Sequence, residues 1–124
     1  MGVFGAMKTT PEQFAEFKQY HAEYLTRYGL RQWGIDYHHG PLAHSYAETE
    51  MQFKTKVAHV TLGVNWGNDA PLDSAQLRKT AKHEVNHLLL HALYWHAINR
   101  FISEDTLDEA EEAVVRTLDQ LIPD

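Results

Sequence analysis

The sequence predicts a single α+β domain over residues 1–124: one helix, then a small and mainly antiparallel sheet, then two further helices. Three observations predict it. Helix-start signatures stand at Thr10-Pro11-Glu12-Gln13, at Leu72-Asp73-Ser74 and at Thr106 with Glu109. Apolar residues at three- and four-residue spacing follow each of these starts. Between residues 32 and 65 the pattern changes to the two-residue period of strands, broken by the turn pair Gly40-Pro41.

In the first helix Thr10 is the N-cap, Pro11 the first helical residue and Gln13 the capping-box partner. Phe14, Phe17, His21, Tyr24 and Tyr28 mark its core face, and Gly29 ends it. Residues 32–39 and 45–52 read as strands around Gly40-Pro41. Residues 56–65, with Val57, His59, Thr61 and Val64, read as a third extended segment. In the next helix Asp73 is the N-cap, with Leu72 stapled onto Leu77, and no Gly or Pro interrupts before about Ala97. Leu77, Ala81, Glu84 and Leu88 recur at helical spacing, which places Glu84 on or near the buried side. Thr106 caps the last helix, whose stripe Leu107, Ala110, Val114, Leu118 and Leu121 stops before Pro123.

Chemistry is concentrated in His83-Glu84-Val85-Asn86-His87. Residues four apart lie about 40° apart around a helix and roughly 6 Å along it, so both imidazoles can reach one ion. A lone carboxylate on the apolar side is costly unless a charge or donor meets it, and a water on that ion would meet Glu84. These are the parts of a zinc hydrolase, in which Zn2+ lowers the pKa of bound water to about 7 and a carboxylate takes its proton. The plainer reading is two surface histidines on a histidine-rich helix, with Glu84 paired to Lys79, Lys82 or a group elsewhere. Helix formation alone requires no histidine at either place.

Catalytic zinc takes three protein ligands and keeps one open position. No cysteine is present to be one of them. His91 stands about 12 Å from His83 along the helix axis, too far to share the ion, and is expected in a supporting or solvated place. The glycine and third histidine of a metzincin extension are absent. Glu111 falls within the apolar stripe of the last helix while Glu109 and Glu112 point away, so it is the candidate third ligand. The alternative for Glu111 is a partly solvated edge carboxylate. The ligand reading requires the preceding helix to end near residues 95–97, with 99–105 irregular. An unbroken helix and a tight turn would set Glu111 opposite Leu93.

The stretch Leu77-Arg78-Lys79-Thr80-Ala81-Lys82-His83-Glu84-Val85-Asn86-His87-Leu88 resembles the zinc helix of the minimal gluzincin-type metallopeptidases, small phage and prokaryotic proteins related to the SprT-like zincins. Glu111 to Leu118 is similar to their closing helix and Ala58 to Trp66, more loosely, to the strand that leads into the zinc helix. Only the zinc-helix motif is specific. The resemblance implies a zincin-like fold and a zinc-dependent endopeptidase acting on protein or peptide, in which His83, His87 and Glu111 hold the metal and Glu84 is the general base. Asn86, where a small or apolar residue is common, and the histidine- and aromatic-rich stretch 91–96 depart from that pattern and bear on substrate choice.

Composition narrows the alternatives. Without cysteine there is no disulfide framework and no zinc ribbon. A net charge of -6 argues against nucleic acid as a partner. No basic leader followed by an apolar run, and no run of about 18 apolar residues, is present, so a cytoplasmic protein with no membrane partner is expected. A second functional reading is a non-catalytic metal-binding zincin module that acts in binding or phage assembly. Arg78-x4-His83 also has the spacing of an all-helical nuclease, but the expected strands and the acidic charge count against it. A ferritin-like di-iron site lacks its second Glu-x-x-His. The oligomeric state is left open.

Overall fold

The computed structural model describes residues 7–43, 45–67, 72–98 and 102–121. Its elements in chain order are β1 (Met7–Lys8), α1 (Pro11–Arg27), β2 (Gly34–Gly40), β3 (Ala47–Gln52), β4 (Val57–Gly63), β5 (Asn65–Gly67), α2 (Ser74–Ile98) and α3 (Glu104–Leu121). The described residues are thus α+β, with three helices among them, as the sequence predicts.

The capping box of α1 forms in full. Thr10 Oγ1 accepts from the Gln13 amide at 3.1 Å, and Gln13 Oε1 accepts from the Thr10 amide at 2.9 Å. Gly29 follows the last turn at a φ of +70°, where a side chain would be strained. Phe17, His21, Tyr24 and Leu25 are its buried face. His21 is fully buried, with Nδ1 2.8 Å from the Tyr37 hydroxyl on β2. Burial pushes this imidazole down to about 4 and the Tyr37 phenol up to about 12.

The sheet departs from expectation. Its three long strands lie in the order β2-β4-β3, with β4 antiparallel to β3 and parallel to β2, so it is mixed. The Gly40-Pro41 turn does not close a hairpin between β2 and β3. Instead β3 hairpins into β4 through residues 53–56, and β4 inserts beside β2. Burial explains the order: Ala58, Val60 and Leu62 of β4 are all 0 % exposed and take the centre, whereas β3 carries Glu48, Glu50 and Gln52 outward and suits an edge. The short strands β1 and β5 pair antiparallel. Gly63 closes β4 at a close approach, since a Cβ there would stand 3.0 Å from the Tyr46 carbonyl oxygen and would press the backbone of residues 45 and 46.

Helices α1 and α2 cover one face of the sheet. One buried cluster joins Tyr24, Leu25 and Tyr28 of α1 and its C-cap to Val85 and Leu88 of α2 through Trp33 and Ala58. A second joins Phe17, Leu77 and Ala81 to Val60, Leu62 and Trp66. Burying a side chain such as Phe17, Leu77 or Leu88 stabilises by about 1.5–3 kcal/mol. In contrast, α3 has no buried residue. Its cap also differs from expectation: Ser103 rather than Thr106 is the N-cap, its Oγ accepting from the Thr106 amide at 3.2 Å and its carbonyl from Leu107. Among the described residues no helix is long and apolar enough to cross a membrane.

Candidate metal centre

The helix that carries the motif begins as its sequence dictates. Asp73 Oδ1 accepts from the Gln76 amide at 2.8 Å, and Leu72 joins Leu77 in the second core cluster. From this start the helical period turns Leu77, Ala81, Glu84, Val85 and Leu88 inward and leaves His83 and His87 exposed. The two rings meet edge to face with centroids 4.8 Å apart. His83, Glu84 and His87 each offer a donor atom within 4.8 Å of the others, the one such group of three among the described residues.

Glu84 is 4 % exposed, and the charge is met from the sheet: Thr49 Oγ1 on β3 donates to Glu84 Oε1 at 2.7 Å. A hydrogen bond to a buried charged group offsets part of its desolvation. Sequence reasoning missed Thr49. The signal was available in the alternation of β3, which turns Ala47, Thr49 and Met51 inward, but nothing local tied that position to residue 84. Asn86 also has a task, since its Oδ1 accepts from the Tyr28 hydroxyl at 2.6 Å and ties α2 to the end of α1.

His83 and Glu84 face a cleft of about 870 Å³. The cleft is also lined by Trp66, stacked on Tyr46 at 4.6 Å, and by Lys79, one turn before His83, which supplies a cation. The edge strand β3 reaches this cleft at Ala47. His44 lies outside the described residues, while its chain neighbours Ala43 and Ser45 line the cleft.

The structure does not bring Glu111 to the imidazoles. Helix α2 ends at Ile98, one residue beyond the 95–97 that the ligand reading required, but Glu111 is exposed and stands outside the donor group of His83, Glu84 and His87. Residues Val114, Leu118 and Leu121 share a groove with Lys82, Asn86, Leu89 and Leu90, a side of α2 whose lining includes neither His83 nor His87. Glu111 lies seven residues before Leu118, about 10 Å back along the helix. The inward side of α3 runs through Ala110, Val114, Thr117 and Leu121, which leaves Glu111 and Leu118 on its open edge.

The other histidines divide differently from expectation. His91 is not solvated: it is buried against Trp33 and Phe53, without a partner on either nitrogen among the described residues. Burial, helped by the Lys56 charge, lowers its pKa. His38 and His39 belong to β2, within the stretch 32–39 that reads as a strand. His39 turns inward, 2.6 Å from Thr9 Oγ1 and stacked on Phe14 at 4.9 Å. His38 turns outward toward His59. His96 packs on Phe53, whereas Tyr94 is 62 % exposed.

The donor set of the centre, two imidazoles and one carboxylate, is one that could hold a metal ion. Comparison of the chain with protein-family models, with curated proteins and with solved structures finds no match.

Proposed function

We propose that the chain is a zinc-dependent endopeptidase with its reaction centre at His83, Glu84 and His87. The observation that carries this reading is Glu84, a buried carboxylate oriented by Thr49 and set between two exposed imidazoles at the wall of a cleft. A zinc ion held there would polarise the scissile carbonyl and lower the pKa of a water to about 7. The two histidines would supply two of the ion's ligands from successive turns, and among the described residues the donor nearest to both is Glu84 itself, so a third ligand beside a free base would have to come from elsewhere. Glu84 takes the proton of the attacking water on a carboxylate oxygen and passes it to the leaving amine. The outer strand β3, with unpaired backbone groups beside the cleft, is suited to receive an extended peptide, and the Tyr46–Trp66 wall to cover a side chain.

A second reading, a non-catalytic metal-binding module, is favoured by one observation. With Glu111 distant, the carboxylate nearest both imidazoles is Glu84 itself, which as a ligand would fill the place of a base. Metal analysis separates the two. In the catalytic reading purified protein holds about one zinc per chain, and Glu84→Gln keeps the metal but slows cleavage of an unfolded protein by about 10²–10⁴-fold. In the module reading the same change releases the metal. Glu111→Ala is expected to leave zinc content unchanged in either case. Protein that takes up no zinc at the His83–His87 pair overturns both.

A further inference from the structure

The outward face of the three-stranded sheet carries chemistry that the cleft does not use. Strand alternation places Asp36 and His38 of β2 and His59 of β4 on this face, with Asp36 paired to His59 in register and Glu50 of β3 opposite His59 on its other side. His38 Nε2 stands 3.3 Å from His59 Nδ1, and Asp36 Oδ2 stands 3.5 Å from the same nitrogen. Two donors on one tetrahedral ion, with bonds of about 2.0–2.2 Å, are separated by about 3.4 Å. Both contacts therefore already have the spacing of a ligand pair, fixed by adjacent strands.

We propose that Asp36, His38 and His59 form a second site, for a divalent transition-metal ion of the imidazole-preferring class such as zinc or copper, with Glu50 as a neighbouring oxygen donor. Two imidazoles and a carboxylate select such ions over magnesium or calcium, which take all-oxygen sets. The trio is not closed as it stands, since only His83, Glu84 and His87 have three donors mutually within 4.8 Å among the described residues. Closing it means bringing Asp36 and His38 together, two residues apart on one strand face. The Asp36 side chain is 63 % exposed and free to turn. Thr49 lies on the opposite face of the same sheet, where it meets Glu84 of α2, so the two sites do not share a ligand.

The test removes the first site and titrates the second. His83→Ala/His87→Ala alters two exposed residues, and calorimetric titration of that variant with Zn2+ should show one ion bound per chain in about the micromolar range. Adding His59→Ala or His38→Ala should weaken this uptake by about tenfold or more, Asp36→Asn by less, and Thr61→Ala on the same face not at all. Zinc should also shift or broaden the imidazole resonances of His38 and His59 in the unaltered protein, a readout that needs no variant to fold. Absence of uptake up to millimolar zinc, uptake indifferent to His59→Ala, or unmoved His38 and His59 resonances overturns the proposal.

Discussion

One hydroxyl holds the carboxylate of Glu84 in place, and its removal has a direct cost. Thr49→Val keeps the shape of the side chain but leaves a buried carboxylate oxygen without its donor, a loss of about 1–3 kcal/mol. Thr49→Ser, which retains the hydroxyl, should recover most of it. Urea unfolding of the two variants checks this without reference to catalysis, and equal destabilisation by both would show that the contact is only packing. At this scale the sequence was informative where chemistry is local: His83, Glu84 and His87 stand within one helical turn, and their spacing alone predicts their meeting. Thr49 is 35 residues away from its partner and could be placed only by knowing which strand α2 crosses. Glu111 illustrates the converse. Its position in an apolar stripe was legible, but the rotation of α3 about its axis, which decides whether residue 111 or 114 turns inward, is set by tertiary contact.

Helices were readable because their signals lie within four residues of one another. The capping box at Thr10 and the cap at Asp73 form as their sequences dictate, whereas Ser103 outcompetes Thr106 three residues later because both offer the same hydroxyl chemistry. Strands were readable as strands but not as a sheet. The alternation of β3 fits pairing with β2 or with β4 equally, and the choice falls to the strand with the most apolar inward face. Helix α3 is the helix least tied to the rest. Its residues are at most partly buried, and Val115 and Leu118 are 40 % and 43 % exposed. Hydrogen exchange should therefore show α3 amides opening with protection about tenfold or more below those of the buried faces of α1 and α2. Equal protection in all three helices would contradict this.

For the whole molecule, the two apolar clusters meet across Ile35, which packs on both, so α1, α2 and the sheet are expected to unfold together. The imidazole of His21, sealed between α1 and β2, makes that cooperative unit sensitive to acid. An unfolded chain accepts a proton on this ring near pH 6.5, while the native ring resists until about pH 4. Between those values the denatured ensemble holds more protons, so conformational stability declines as the solution is acidified, by about 3 kcal/mol in total from this one ring. Above pH 6.5 the ring is neutral in both states and contributes no slope. Chemical denaturation midpoints measured from pH 7.5 down to 4.5 should accordingly fall more steeply for the parent chain than for His21→Gln, which cannot titrate. Parallel curves would mean that the ring is protonated without opening the interface between α1 and β2.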